Sequence, residues 1–299
     1  MKAVADILTS LLYCEFDKVP TEVLIHRFMF LFKSQQHRLS PYVTCLDRRN
    51  LTIPNCRHHI ESTCPERFGQ DMETEEFCRR QLWDKRANPQ TPFIERDVTK
   101  RTSFDKYQTC MNRQRQVLEQ HCLPSLQDVC DNARIRTTKT VRLNMATAML
   151  LLRQVRNLRV IHLIRDPRAV VLSRTSQATY HGHYSGKELH KEALLYCRGV
   201  TRDVLVRHEL LDAFPGSLYE LNYEDFTHQP QRHVQEIYRF LDETIPASVE
   251  NWLAKNTGGE VKNSTAIAEK WKDKMKYIDV IRINEVCQNM YAALNNKYS

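Results

Sequence analysis

From Val4 to Tyr13, and again from Pro20 to Phe32, apolar residues return every three or four positions, the period of a helix with one buried face. Pro20 followed by Thr21 supplies a start signal for the second segment. Between Ser40 and Pro92 that period dissolves into Cys, Pro, Arg and Asn. This stretch reads as a loop-rich insertion with one short helical candidate near Glu75 to Trp83. Helical spacing resumes in "SFDKYQTCMNRQRQVLEQHC", Ser103 to Cys122. The texture then changes to an alternation. "ARIRTTKTVRL" predicts a strand, Met145 to Arg153 a helix, "LRVIHLI" a strand, Pro167 to Ala178 and Ser185 to Leu211 helices, and "SLYELNY" a strand. Further helices are expected from about Pro230, Pro246, Ser264 and Tyr277.

Strand, helix, strand, helix is the mark of crossover connections, so the fold class is α/β, a parallel sheet flanked by helices. Only about three strands are legible, whereas a covered parallel sheet ordinarily has more. The organisation expected is one domain, 1–299. A helical, Cys-rich part occupies 1–132, and an α/β core with C-terminal helices occupies 133–299.

The cysteines alter this picture. The chain of 299 residues has ten, and seven of them lie between Cys45 and Cys130 with no CxxC pair. Wide spacing argues against a zinc ribbon and for a disulfide-tied segment made in an oxidising compartment, although spacing leaves the pairing open. Two glycosylation sequons, "NLT" at Asn50 and "NST" at Asn263, fit the same compartment. No apolar run reaches the roughly 18 residues a membrane span needs, and no signal peptide is recognisable at Met1.

The net charge of +8 favours an anionic partner. Basic residues are dispersed and no aromatic-basic module appears, so no nucleic acid is expected. His181 and His183, in "YHGHY", lack a third ligand in register, and no metal is expected.

Candidate chemistry concentrates in "LRVIHLIRDPRAVVLSRT", Leu158 to Thr175. Val160 to Ile164 is nearly all apolar, as in a strand buried on both faces. Arg165 then emerges at the strand's carboxyl end, where open α/β sheets bind ligands. Asp166 is a good helix N-cap, and Pro167 at the first helical position has its φ preset. Free N–H groups and the helix dipole make such a corner attractive to an anion. Ser173 lies eight residues after Arg165, and helix side chains lean toward the N-terminus, so its hydroxyl can point back to the corner. A guanidinium fork beside a hydroxyl suits phosphate. Two readings remain open on these grounds. Either Arg165 and Ser173 grip phosphate, or Arg165 pairs with Glu224 or Asp225 and Ser173 is an ordinary helix residue.

"VIHLIRDPRAVVLSR" resembles the 3′-phosphate-binding element of sulfotransferases that use 3′-phosphoadenosine 5′-phosphosulfate. In detail it is similar to the Golgi carbohydrate sulfotransferases of the N-acetylglucosamine/galactose/keratan sulfate 6-O type. "KTVRL" (Lys139 to Leu143), "YEDF" (Tyr223 to Phe226), "NSTAIAEKWKDKM" (Asn263 to Met275) and the late Cys287 match further elements of that family in the same order. The resemblance implies a P-loop NTPase-like sulfotransferase fold. It also implies the phosphosulfate as co-substrate, no metal, and a glycan or glycoprotein acceptor. The complete form would work in the Golgi lumen as a type II membrane protein, with a homodimer as the assembly to test.

By the same resemblance, Arg165, Asp166, Pro167, Arg168, Ser173 and Arg174 form the donor-binding element, with Arg165 and Ser173 on the 3′-phosphate. Trp271 and Lys272 stand where the family has Trp-Arg, so Lys272 offers a point charge in place of a fork. Lys139 and Arg142 are the candidates to balance charge at the reaction centre. Val141 occupies the place of the catalytic histidine of cytosolic relatives, which leaves the base unassigned. Glu224 and Asp225 are expected to brace the core, and the run Lys270, Lys272, Lys274, Lys276 is readable as a solvated face. The glycine-rich loop that cradles the 5′-phosphosulfate in the family has no counterpart, and neither has its anchor helix. The chain is therefore expected to be incomplete at its N-terminus. A non-catalytic protein that keeps only the 3′-phosphate site is the competing expectation.

Overall fold

A computed structural model describes residues 1–25, 36–60, 98–141, 143–176, 186–257, 264–295 and 297–298. The chain divides into two compact units, Met1–Thr140 and Val141–Ser299.

The first unit is helical. Helix α1 (Lys2–Leu12) buries Ala5, Leu8 and Leu12, the stripe that its apolar spacing requires. A 3₁₀ turn (Phe16–Lys18) and the short α2 (Thr21–Leu24) follow, α2 starting directly after Pro20. Helix α3 (Gln36–Arg48) runs into the stretch expected to be loop. It carries Pro41 inside, which forfeits a backbone hydrogen bond. The helix persists because Tyr42 and Leu46, one turn apart, are both buried, and the Tyr42 hydroxyl donates to the Leu24 carbonyl at 2.9 Å. After α4 (Pro54–Arg57), the long α5 (Val98–His121) lays Phe104, Tyr107, Met111 and Leu118 into one core, and α6 (Leu123–Asp131) adds Leu126. The candidate helix at Glu75 to Trp83 lies outside the described residues.

Among the described residues three disulfides tie this unit: Cys14–Cys130, Cys45–Cys122 and Cys56–Cys110. Arg115 is buried among them. Its guanidinium donates to the carbonyls of Val19 (2.8 Å) and Phe16 (2.9 Å) and pairs with Glu119, so its charge is answered on several sides. The oxidised, bridged segment foreseen from cysteine spacing is thus present.

The strand expected over Ala133 to Leu143 does not form among the described residues. From Ala133 to Val141 the chain is irregular and largely exposed. Strands need a partner for their N–H and C=O groups, and among the described residues none pairs here. Arg136 instead pins the segment, donating to the carbonyls of Leu12 (3.0 Å) and Cys130 (3.1 Å).

The second unit is an α/β arrangement around a small parallel sheet. Helix α7 (Met145–Gln154) starts at Asn144, whose side chain accepts from the Thr147 N–H at 2.9 Å, while Asp203 accepts from the Met145 N–H at 2.7 Å. Strand β1 (Val160–Ile164) leads into α8 (Pro167–Ser176) and the long α9 (Gly186–Ala213). A turn through Gly216, at φ 74°, brings the chain to β2 (Leu218–Asn222). The strands are parallel and in register from Val160 opposite Leu218 to Ile164 opposite Asn222. Helices α10 (Tyr223–His228), α11 (Pro230–Phe240), α12 (Ala247–Thr257), α13 (Ser264–Glu269), α14 (Trp271–Lys274) and α15 (Tyr277–Ala293) complete the unit.

Helices α9 and α15 hold the main core with Ile164, Val171, Val200, Ile283 and Met290, stapled by a buried disulfide, Cys197–Cys287. A second cluster joins Met145, Ala148 and Leu152 of α7 to Leu210 of α9. Sequence reasoning expected β1 to be buried on both faces. In the structure Ile161 and Leu163, which share one face of the strand, are 41% and 53% exposed, so that face is left open.

Candidate functional site

The carboxyl ends of the two strands form a corner on which α8, α9, α10, α14 and the chain terminus converge. Asp166 is buried and caps α8: its carboxylate accepts from the Arg168 backbone N–H at 2.8 Å. The same carboxylate takes the Arg168 guanidinium in a fork, at 2.8 Å for the closest pair. Burial presses the Arg168 pKa down, but the bonds from Asp166 outweigh it and hold the group above its ordinary value. Arg168 also donates to the Tyr298 carbonyl at 2.9 Å and stacks on Trp271, 4.1 Å from the ring centre.

Glu224 lies at the centre of the brace. One carboxylate oxygen accepts from the Asp166 N–H at 3.0 Å and the other from the Tyr298 hydroxyl at 3.0 Å. Tyr298 reaches Asn222 at 2.9 Å as well, so the residue joins the end of β2 to the start of α10. Burial first, then the charge of Glu224, pushes the Tyr298 hydroxyl far above its usual range. Asp225 pairs with Lys297. The expectation that Glu224 and Asp225 brace the core therefore holds.

Arg165 is placed differently from every other arginine of the corner. The backbone carbonyl accepts from the Tyr196 hydroxyl at 2.8 Å, and the guanidinium lies over the Tyr223 ring, 4.4 Å from its centre. Its Nε is buried without a hydrogen-bond partner. Both carboxylates that could have neutralised Arg165 are committed elsewhere, Glu224 to Asp166 and Tyr298, Asp225 to Lys297. Among the described residues no acidic group pairs with Arg165. A buried guanidinium donor in that condition is costly unless an acceptor, such as an anion, satisfies it.

Ser173 is half-buried, two turns along α8 from Asp166. Arg174 is engaged: it pairs with Glu192 at 3.1 Å and lies over Tyr196, whose hydroxyl burial pushes up to about 12. Lys272 is exposed and paired with Glu269 at 2.7 Å, while its neighbour Trp271 carries Arg168. Lys139 is exposed on the irregular segment that ends the first unit. Arg142, His181 and His183 lie outside the described residues. Among the described residues no group of three or more His, Cys, Asp or Glu could hold a metal.

Sequence reasoning missed Tyr196 and Tyr298 altogether. Neither stands in a recognisable motif, and each reaches the corner from far along the chain. Tyr223 was visible as the first residue of "YEDF", but its place under Arg165 was not.

An arginine without a paired carboxylate at the carboxyl end of a parallel strand, followed by an Asp-capped, proline-started helix, defines an α/β protein whose corner has the chemistry to suit an anion. Comparison with known proteins gives the class a name. A model of the sulfotransferase family matches residues 34–247, and the chain belongs to that family. Carbohydrate sulfotransferase 1 of Rattus norvegicus is 29% identical over 161 residues, covering 47% of this chain and 39% of the relative. Carbohydrate sulfotransferase 3 of Homo sapiens is 32% identical over 144 residues, 40% of this chain and 30% of the relative. The human carbohydrate sulfotransferase 5 is 24% identical over 156 residues, 44% and 38%. The chain thus spans less than half the length of these relatives. No solved structure matches it.

Proposed function

We propose that the protein is a carbohydrate sulfotransferase that moves a sulfuryl group from 3′-phosphoadenosine 5′-phosphosulfate to a sugar hydroxyl, the 6-O position of N-acetylglucosamine or galactose. The observation that carries this reading is Arg165, held at the strand end with a buried, unpartnered Nε and, among the described residues, no carboxylate paired with it. That orphaned donor fits a phosphate. Arg165 and Ser173 would hold the 3′-phosphate, helped by the start of α8. Asp166, Pro167 and Arg168 give the corner its shape, and Arg174, Trp271 and Lys272 flank it. The relatives' names support the sugar acceptor, and the family supports the donor.

In the reaction proposed, the sugar oxygen attacks sulfur as the bond from sulfur to the phosphate oxygen breaks. Adenosine 3′,5′-bisphosphate leaves, and the hydroxyl proton passes to a base. Lys139 and Arg142 are our candidates to balance charge on the transferring group, an electrostatic and positioning task. The four disulfides among the described residues support a secretory, lumenal setting, for which we propose the Golgi. Among the described residues no helix is long and apolar enough to cross a membrane.

Titration with adenosine 3′,5′-bisphosphate tests the site. Arg165→Ala is expected to weaken binding by about tenfold to a hundredfold, the value of a lost charge-assisted bond. An unchanged affinity would overturn the assignment. Transfer of radiolabelled sulfate to N-acetylglucosamine- or galactose-terminated acceptors tests the activity, with product expected on one of them. The second reading, a non-catalytic donor-binding protein, is favoured by Val141, 76% exposed where cytosolic relatives have their histidine. Tight bisphosphate binding without transfer to any glycan would select it.

A further inference from the structure

We infer that Asn50 is an N-glycosylated position, the acceptor for an oligosaccharide added in the secretory pathway. The inference rests on the lumenal setting proposed above.

Helix α3 ends in a left-handed cap. Asn50 has φ 51°, its N–H donates to the Asp47 carbonyl at 3.1 Å, and the next residue, Leu51, donates to the Leu46 carbonyl at 2.9 Å and is buried. This is the six-to-one closure in which a residue tolerant of positive φ, Gly or Asn, is wanted at the left-handed position. The cap alone therefore explains an asparagine here. It does not explain Thr52. The Thr52 carbonyl accepts from Gln114 at 2.9 Å, a role any residue fills. Its hydroxyl, the element that turns Asn-Leu-Thr into a sequon, has no hydrogen-bond partner among the described residues. The Asn50 side chain is exposed and likewise forms no hydrogen bond among them. The fold thus makes no use of the two side chains that glycosylation requires.

The order of synthesis supports the same conclusion. The sequon lies between Cys45 and Cys56, whose partners are Cys122 and Cys110, 77 and 54 residues further on. Neither bridge can close until those partners have been made. Asn50 thus passes through the lumen as open chain, when a transferase can reach it, and ends on the surface, where a bulky polar group is tolerated. The carboxamide nitrogen of Asn50 forms a bond to the anomeric carbon of a lipid-pyrophosphate-linked oligosaccharide. The bond from that carbon to the pyrophosphate oxygen breaks, the lipid pyrophosphate leaves, and the amide gives up one proton.

The chain is secreted behind a cleavable leader from insect or mammalian cells, which makes entry independent of the proposed location, and full oxidation is verified by the absence of alkylatable thiols. Peptide:N-glycosidase digestion in heavy-oxygen water followed by mass spectrometry is expected to mark Asn50. Asn50→Gly, which preserves the left-handed cap, and Thr52→Val are each expected to remove one glycan. Thr52→Ser and Asn263→Gln are expected to leave the Asn50 glycan in place. An unmarked Asn50 peptide from the oxidised wild-type protein would overturn the inference. So would a glycan count unchanged by Asn50→Gly. Protease protection in the native cell tests the lumenal setting separately.

Discussion

Two arginines three residues apart show how the same side chain serves two ends. Arg168 is spent within the protein: a carboxylate fork, a backbone carbonyl and an indole face use its donors and its charge. Among the described residues the Arg165 side chain has the Tyr223 ring, a contact that leaves most of its hydrogen-bonding capacity unused. A lysine at 165 would keep the charge and lose the fork, so Arg165→Lys is expected to bind bisphosphate more weakly than wild type and more tightly than Arg165→Ala. Titration calorimetry orders the three. Tyr298 belongs to the same scale. Tyr298→Phe deletes the hydroxyl that serves both Asn222 and Glu224 and leaves a half-buried carboxylate short of a donor. A loss of about 1–3 kcal/mol in denaturant unfolding is expected, and no shift in midpoint would show that water replaces the hydroxyl at no cost.

Between elements, the strongest tie in the second unit is covalent. The bridge Cys197–Cys287 joins α9 to α15 across 90 residues inside the core that also receives Ile164 of β1. Replacing both cysteines with serine is expected to destabilise the protein by about 2–5 kcal/mol, read as a shift in denaturant midpoint. The sheet is tied to α9 by charge as well. Arg207 donates to both oxygens of Glu220, each at 2.8 Å, next to His162 on the neighbouring strand. Burial would raise the Glu220 pKa, but its partners His162 and Arg207 prevail and hold it below the ordinary 4.5. A depressed carboxylate pKa contributes stability that is present above the ordinary value and lost as pH falls through the folded one. The difference in stability between wild type and Arg207→Gln is therefore expected to be fully developed at neutral pH and to shrink below about pH 4.5. Unfolding midpoints measured across that range decide the point.

For the whole molecule, the disulfides divide unevenly. Among the described residues three close loops of 116, 77 and 54 residues in the first unit, and one serves the second. Long closed loops constrain the unfolded chain most, so reduction is expected to cost the first unit more. Hydrogen exchange after treatment with a thiol reductant should show protection lost in α3, α5 and α6 before the α9–α15 core. Equal loss in both units would contradict this. The matched family span, 34–247, crosses the boundary between the units, so the cysteine-bridged helices and the sheet both fall within what the family model recognises.

The sequence by itself determined what depends on neighbours along the chain. The α1 stripe, the α5 face, the Asp166 cap with Pro167 behind it, and the strand-to-helix turn that presents Arg165 all follow from spacing and capping within a few residues. The tertiary structure decided what depends on partners far away. Ala133 to Val141 has strand-like composition, but a strand exists only when another chain segment supplies its hydrogen bonds, and periodicity says nothing about that supply. The existence of β1 was legible, whereas the exposure of Ile161 and Leu163, on one face of the strand, was set by what packs on that face. The choice between a neutralised and an uncommitted Arg165 was settled in the same way. Tyr298, 74 residues beyond Glu224, helps occupy the carboxylate that would otherwise have been free to pair with it. Electrostatic balance is a sum over everything close in space, and only the fold says what is close.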